Sequence, residues 1–370
     1  MRVILTGGGT GGHVYPAVAI GQALQKEWPQ CEILYVGTKK GLENKIIPAV
    51  GFPMTVLDVE GWQRKLSFQA VKAGWKASKA FWAARKIMRD FSPQLVIGTG
   101  GYVCLPVVGA ASRLGIATLL HEQNAIPGLT NRLLASWVKG ILLTFPEAKK
   151  YFSAPNQEKI EVTGLPIRAA ILQVERAAGL AYFGFSPEKL TLLGVGGSRG
   201  AQSINQAMLF VCRQYADDRR VQILHLTGQT EFEKFRKALQ QLGIKTGNHG
   251  NIMIMPYLQE MEYALACADL CVARSGAAFL AEMTAKGLPG ILVPYPHAAE
   301  NHQEYNARAL VEQGAAEMIL DRELREEMLL EKIEKLLFDR ERREIMVQKS
   351  RQAGKPEAIE KIIEVVKKYL

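Results

Sequence analysis

His13 stands directly behind Gly7-Gly8-Gly9-Thr10-Gly11-Gly12, where a short apolar stretch gives way to a helical pattern. Two similar turns follow, Gly98-Thr99-Gly100-Gly101-Tyr102 and Gly194-Val195-Gly196-Gly197-Ser198-Arg199-Gly200, each again between an apolar stretch and a helical pattern. Glycines allow a strand-to-helix turn to bring its backbone N–H groups against a phosphate, and the positive end of the following helix dipole favours the negative charge. Three such turns in one chain indicate a plan for holding a diphosphate, with Thr10, Gly11, Gly12 and Tyr102 among the residues that would meet it. A lone histidine is more often structural than catalytic. At the mouth of an anion-binding turn, however, an imidazole is a candidate general base.

Two polar clusters add to this. His121-Glu122-Gln123-Asn124 follows the apolar Leu119-Leu120, and four polar side chains at the carboxyl end of a parallel strand suit hydrogen bonding to a hydroxyl-rich ligand. Thr130 and Asn131 read instead as a polar loop capping the next helix. In the second half, Arg274-Ser275-Gly276 precedes a helix that carries Glu282, and Pro294-Tyr295-Pro296-His297 introduces Glu300-Asn301-His302-Gln303. A carboxylate can accept both hydroxyls of a ribose, and an amide can donate and accept toward a sugar.

The elements that must position these residues follow a βαβ rhythm. Val3 to Leu5, Ile33 to Val36, Leu95 to Ile97, Thr118 to Leu120 and Gly140 to Thr144 read as strands, separated by helical periods such as Pro16 to Glu27, Leu42 to Val50 and Pro106 to Leu114. The pattern ends around Val162 to Arg168 and restarts at Leu190, so that Arg2 to Leu24 and Lys189 to Leu209 form an internal repeat of strand, glycine turn and helix. Further strands are expected at Val221 to Leu226, Ile252 to Met255, Leu270 to Ala273 and Gly290 to Val293. The expected fold is α/β, with two doubly wound parallel-sheet domains in tandem, 1–163 and 164–349, facing across a cleft. A last helix of about 350–370, opened by Pro356, is expected to cross back onto the first domain.

Several classes fall away. Gly7, Gly9 and Gly12 satisfy G-x-G-x-x-G, yet the second strand ends Tyr35-Val36-Gly37-Thr38, without the acid that binds ribose in a dinucleotide site. Lys39 and Lys40 keep an NADP reading open, but it would leave two glycine turns unexplained. Five cysteines without C-x-x-C spacing are expected as buried thiols of a reducing cytoplasm. No secretory signal pattern opens the chain, and apolar runs such as Ile141 to Phe145 fall far short of the roughly 20 residues of a membrane span. There is no Asp-x-Asp motif, its nearest match being Asp58-Val59-Glu60, so neither a metal nor a cofactor is expected in ligand binding.

In order along the chain, Gly-Gly-Thr-Gly-Gly-His, Gly-Gly-Tyr, His-Glu-Gln-Asn, Gly-Gly-Ser-Arg-Gly-Ala, Arg-Ser-Gly and Glu-Asn-His-Gln make it resemble the bacterial MurG family over nearly its whole length. These are UDP-N-acetylglucosamine:N-acetylmuramyl-(pentapeptide) pyrophosphoryl-undecaprenol N-acetylglucosaminyltransferases of peptidoglycan synthesis. The resemblance implies the GT-B fold, with acceptor bound mainly by the N-terminal domain and donor by the C-terminal one. It implies inverting transfer of N-acetylglucosamine from UDP-GlcNAc to the C4 hydroxyl of the muramyl residue of lipid I, giving β1→4-linked lipid II and UDP. Carried over by position, Arg168 and Ser198 would contact the donor diphosphate, Leu258 would line the uracil site and Glu282 would hold the ribose. His302 and Gln303 would face the donor sugar, Asn124 would lie near the N-acetylglucosamine, and His13 or Glu122 would be the base. His13 is preferred because it adjoins an anion-stabilising turn. Related alternatives are a GT-B transferase with another acceptor, a UDP-GlcNAc 2-epimerase, and a nucleotide-sugar binding protein without activity.

Between Gly61 and Asp90, eight basic residues face one acid, a net +7 in a chain of +10. Phe68, Trp75 and Trp82 recur every seven residues beside Lys72, Lys79 and Lys86, which on a helix makes adjacent stripes. The aromatic stripe either packs on the core or, with the lysines, docks on an anionic membrane surface. The second reading, through Trp75, Lys79, Trp82 and Lys86, matches a lipid-linked acceptor and a peripheral place on the cytoplasmic side of the cell membrane. Trp137 and Lys139 would extend the patch. Nothing accompanies these residues that reads as a nucleic-acid motif.

Overall fold

The structure is a computed structural model that describes residues 1–59, 68–197, 200–247 and 250–370, and for 68–77 the helical backbone alone. Ser198 and the side chain of Trp75 therefore lie outside the described residues. Contact within the chain divides it into Met1–Pro166 with Glu357–Leu370, the first unit, and Ile167–Pro356, the second.

The first unit runs β1 (Arg2–Thr6), α1 (Gly11–Glu27), β2 (Glu32–Thr38), α2 (Glu43–Ala49), β3 (Met54–Leu57), α3 (Phe68–Phe91), β4 (Leu95–Gly98), α4 (Cys104–Arg113), β5 (Ala117–Glu122), α5 (Leu129–Leu134), β6 (Gly140–Leu143), α6 (Ala154–Gln157) and β7 (Ile160–Val162). The second contains α7 (Ala169–Gln173), α8 (Arg176–Phe183), β8 (Leu190–Val195), α9 (Gln202–Tyr215), β9 (Val221–Leu226), α10 (Phe232–Gln241), β10 (Ile252–Met255), α11 (Met261–Cys267), β11 (Leu270–Ala273), α12 (Ala277–Ala285), β12 (Gly290–Leu292), α13 (His302–Glu312), β13 (Ala316–Met318), α14 (Glu326–Leu337) and α15 (Arg340–Ala353). The final helix, α16 (Ala358–Lys367), belongs to the first unit, whereas residues 350–353 finish α15 in the second.

Each sheet is parallel throughout, in the orders β3-β2-β1-β4-β5-β6-β7 and β10-β9-β8-β11-β12-β13. The chain leaves β1 toward β2 on one side and reaches β4 on the other, and β8 stands in the same relation to β9 and β11. Ligands of doubly wound sheets bind beyond the carboxyl ends of the strands at this reversal. In the first sheet, Val3 and Leu5 pack on one face with α1 and α16, and Ile4 packs on the other with α4. Burial on both faces explains why the central strands read as unbroken apolar runs.

Three strands had no counterpart in the sequence reading: β3, β7 and β13. All are edge strands of three or four residues, and the exposure of Val56 shows how little apolar signal an edge needs. Helix α1 begins at Gly11, five residues ahead of the expected Pro16, because Gly11 and Gly12 form its first turn and Pro16 is tolerated inside it.

Helix α16 completes the core of the first unit with Ile362, Ile363, Val365 and Val366, which pack with α1 and β1. An Ile362→Ala substitution is expected to cost about 2–5 kcal/mol. In hydrogen exchange, protection should fall in β1 and β4 while β8 keeps its own. Equal loss in β8 and β11 would contradict a separate core for each unit.

Candidate functional site

Strand register places Thr6 beside Gly98 and Gly98 beside Leu120, so the loops after β1, β4 and β5 leave from neighbouring carboxyl ends. The first two glycine turns then meet backbone to backbone, and Gly8 N–H donates to the Gly100 carbonyl at 3.2 Å. A Cβ on Gly101 would stand 2.6 Å from the Gly8 oxygen, and one on Gly100 2.7 Å from Nδ1 of His13. Both glycines also have positive φ, +86° and +112°. Only glycine satisfies both conditions here.

Side chains behind the turns hold them in place. Tyr35 donates its hydroxyl to the Gly7 carbonyl at 2.7 Å, and Thr99 Oγ1 donates to the His13 carbonyl at 2.7 Å. The fully buried Glu43 accepts from Gly9 N–H at 3.1 Å and from the N–H and hydroxyl of Thr38 at 3.0 and 2.7 Å. Burial opposes its charge, but the bonds from Thr38 and Gly9 outweigh burial and hold its carboxyl below the usual glutamate range. Glu43 escaped sequence reading, where it is one acid in a first helical turn. Its presence also corrects how the turn would act: Gly8 and Gly9 spend their N–H groups inside the scaffold. The first-turn N–H groups of Gly11 and Gly12 have no helical acceptor, and the exposed Thr10 hydroxyl makes no capping bond. Tyr102, 58% exposed, follows the second turn. Cys104 at the same turn is inert, because burial pushes its thiol up to about 12.

The His13 ring is joined to the second cluster. Its Nδ1 lies 3.1 Å from Gln123 Oε1, Gln123 Nε2 lies 3.1 Å from His121 Nδ1 and 2.9 Å from the His121 carbonyl, and His121 Nε2 lies 3.0 Å from the Gly164 carbonyl. His121 and Gln123 are buried, whereas His13 is partly open. Glu122, read as a sugar ligand or base, is buried too. Its oxygens accept from the N–H and amide of Asn124 at 3.0 and 3.3 Å, from Gly128 N–H at 3.0 Å and from the Asn131 amide at 2.8 Å. Four donors fill a carboxylate's capacity. Glu122 is therefore the anchor that shapes the loop presenting Asn124, and Asn131, read as a helix cap, serves that anchor.

In the second unit, the third glycine turn follows β8 and leads into α9, with Gly197 and Gly200 at positive φ. Behind it His225 is fully buried, its Nε2 3.0 Å from Asn205 Oδ1. A Cβ on Gly194 would stand 2.3 Å from that ring. Arg168 reaches Glu282 at 3.3 Å, Glu262 at 3.4 Å and the Gln259 carbonyl at 2.8 Å. Burial raises the Glu282 carboxyl, and the Arg168 charge works against that rise. Leu258, next to Gln259, is buried. Beyond β12, Glu300 and Asn301 both have positive φ and turn the chain into α13, where Gln303 Oε1 accepts from Tyr295 N–H at 3.0 Å. Its NH2 remains the end that can donate outward. His302 Nδ1 lies 2.8 Å from the Ala299 carbonyl, so Nδ1 is the donor of that bond.

On α3, Ala80, Ala84 and Met88 take the buried face, while Lys79, Trp82 and Lys86 are exposed, Trp82 by 61%. Arg85 lies over the Trp82 ring at 5.1 Å. Trp137, 44% exposed, is stacked by Arg113. Among the described residues no helix is long and apolar enough to cross a membrane, and no group of three or more His, Cys, Asp or Glu could hold a metal ion.

The glycosyltransferase family 28 N-terminal domain profile matches residues 3–143, and the C-terminal domain profile of the same family matches residues 191–362. A UDP-N-acetylglucosamine--N-acetylmuramyl-(pentapeptide) pyrophosphoryl-undecaprenol N-acetylglucosamine transferase of Desulforamulus reducens is 50% identical over 370 residues, covering 100% of this chain and 99% of the relative. The chain belongs to the MurG family of glycosyltransferases. A crystal structure of Acinetobacter baumannii MurG matches with a TM-score of 0.80 at 28% identity, over 99% of both chains, and the two sheets are those of the GT-B fold. A UDP-GlcNAc 2-epimerase from Neisseria meningitidis matches with a TM-score of 0.69 over 100% of both chains but at 15% identity, a likeness of fold alone.

This MurG-family chain carries a titration signature in two histidines that are buried among the described residues, His121 and His225. Burial pushes both His121 and His225 down to about 4, from an unfolded value of about 6.5. The folded state thus binds fewer protons, and the resulting stability is complete above pH 6.5 and is lost as pH falls toward 4. By pH 5 each histidine should have surrendered about 2 kcal/mol. Urea unfolding at pH 7 and pH 5 checks this with His225→Gln, whose loss between the two pH values should be smaller by about that amount. An identical loss in the variant would refute it.

Proposed function

We propose that the chain transfers N-acetylglucosamine from UDP-N-acetylglucosamine to the C4 hydroxyl of the muramyl residue of lipid I, producing lipid II with inversion at the anomeric carbon. The full-length relationship to a transferase of that name carries this reading. In the proposed reaction the C4 oxygen attacks the anomeric carbon as its bond to the diphosphate oxygen breaks, and UDP leaves. Such a single displacement needs orientation, a base for the hydroxyl proton and stabilisation of the leaving diphosphate.

His13 is assigned as the base, taking the proton on Nε2. Glu122 is set aside because four donors already occupy its oxygens. Thr10, Gly11, Gly12 and Tyr102 are assigned to the acceptor diphosphate and reaction centre, and Asn124 to the N-acetylglucosamine. On the donor side the assignments are Ser198 and the start of α9 for the diphosphate, Leu258 for the uracil, Glu282 for the ribose, and His302 with Gln303 for the sugar. Arg168 is paired with Glu282 at 3.3 Å. When Glu282 turns to the ribose hydroxyls, the guanidinium becomes available to the leaving diphosphate. The proposed step uses dipoles and Arg168 in place of a divalent ion, so EDTA should leave turnover intact.

We assign the N-terminal unit to acceptor binding and the C-terminal unit to the donor, and place the protein peripherally on the cytoplasmic side of the cell membrane. The exposed Trp82, Lys79 and Lys86 support docking on an anionic surface, with Trp75 in the same heptad row.

Labelled UDP-GlcNAc, with and without a lipid I analogue, tests the activity: UDP release and disaccharide should require acceptor. Conversion of UDP-GlcNAc without acceptor would favour an epimerase. His13→Ala should lower kcat by about 10²–10⁴ while UDP affinity is kept, and equal losses in both would mean a positioning role. Replacing Lys79 and Lys86 together with Gln should weaken binding to anionic liposomes by about 2 kcal/mol, roughly 30-fold. Binding indifferent to lipid charge and salt would rule this surface out.

A further inference from the structure

The atoms around Gln123 decide which nitrogen of His13 carries its proton. The Gly164 carbonyl can only accept, so the bond at 3.0 Å requires His121 to be protonated on Nε2. Burial keeps this imidazole neutral near pH 7, so its Nδ1 is an acceptor. That lone pair at 3.1 Å and the His121 carbonyl at 2.9 Å are then two acceptors facing one end of the Gln123 amide. The NH2 must occupy that end, because the flipped amide would set its oxygen against both. Gln123 Oε1 is thereby turned to His13 Nδ1 at 3.1 Å, and an oxygen that can only accept requires an N–H there.

We infer that Gln123, itself oriented by His121 and the Gly164 carbonyl, is a positioning residue that holds His13 as the Nδ1–H tautomer, leaving the Nε2 lone pair bare. The inference rests on the reading of His13 as the base for its catalytic meaning, and on hydrogen-bond geometry alone for the tautomer. An imidazole held the other way would present an N–H to the acceptor hydroxyl and could not take its proton. In serine hydrolases a buried carboxylate does this orienting. A carboxylate at position 123 would set a negative charge directly against the His13 ring, whereas an amide fixes the ring without one. The chain of bonds ends on a backbone carbonyl beside β7, whose own N–H is tied to the Leu143 carbonyl at 3.1 Å, so its far end is part of the sheet framework. Gly100, with no Cβ, leaves room for the ring in this orientation.

The test is the protonation pattern of the histidines in the full chain, read by long-range proton–nitrogen correlation with 15N-histidine and assigned by the signals lost in His13→Gln. At neutral pH the wild type should show His13 protonated on Nδ1 and His121 on Nε2. In Gln123→Met the His13 pattern should shift toward Nε2–H with the other histidines in place, and kcat should fall about 10–100-fold. In the His13→Gln background the same substitution should cost no further turnover. A wild-type His13 protonated on Nε2 overturns the inference whatever the kinetics, and that spectrum decides even if Gln123→Met fails to fold. So does an unchanged Nδ1–H pattern in a folded Gln123→Met protein. A shifted tautomer with full turnover would uphold Gln123 as the tautomer-setting group while removing His13 as the base, so the two readings fail separately.

Discussion

The contact of two backbones at the carboxyl ends of β1 and β4 is the constraint on which the acceptor-side geometry depends. Gly8 donates a hydrogen bond to Gly100 with no side chain between them, and the strands that deliver them are neighbours at the point where the strand order reverses. A methyl group at Gly101 would strike the Gly8 carbonyl, and one at Gly100 would strike the His13 ring. The first turn of α1 is fixed in consequence: Thr99 holds the His13 carbonyl, Glu43 holds Gly9, and the orphan donors of Gly11 and Gly12 point where the helix begins.

Polar groups buried behind these turns are arranged by how much charge the place can bear. Glu43 and Glu122 are buried carboxylates, and each is surrounded by donors, which is the condition under which such a charge is tolerated. The groups that touch His13 are neutral: an amide, then an uncharged imidazole, then a carbonyl. The second unit repeats part of this device, since Asn205 donates to the Thr227 carbonyl and so turns its oxygen to His225 Nε2. There the pair stays beneath Gly194 and supports the turn, whereas in the first unit the chain of bonds reaches a partly open imidazole. The same strand, glycine turn and helix thus differ in what the buried amide serves.

Much of this was legible in the sequence where the requirement is local. A glycine turn between a strand and a helix announces itself, and the repeat of that pattern revealed two tandem parallel sheets. Edge strands β3, β7 and β13 did not, because half-exposed residues in short pairings carry little periodicity. Glu43 and Tyr35 were invisible because their partners, Gly9 and Gly7, lie on the preceding turn. His121-Glu122-Gln123-Asn124 is legible as a polar run at a strand end, yet the run does not say that Gly128 and Asn131 complete the saturation of Glu122. The spacing of Trp82 and Lys79 left two readings open. For Trp82 the difference is made by Ala80, Ala84 and Met88, which occupy the inner face of α3 and turn the indole outward.

The charge of the chain is accordingly divided by task. The groups bonded to His13 are a backbone carbonyl, a hydroxyl and an amide, with the helix dipole as the source of positive potential. The lysines and arginines in excess are concentrated between Gly61 and Asp90, where Lys79 and Lys86 stand in water. Exposed charges act over about a Debye length, roughly 8 Å at physiological salt, and are weakened by added ions, whereas N–H groups at a helix start work at contact distance and are screened much less. A transferase whose acceptor lies on a lipid surface gains from that separation. In the proposed function, long-range attraction would bring the protein to the surface, and a chemistry set by oriented dipoles would not change with the number of lysines used to get there.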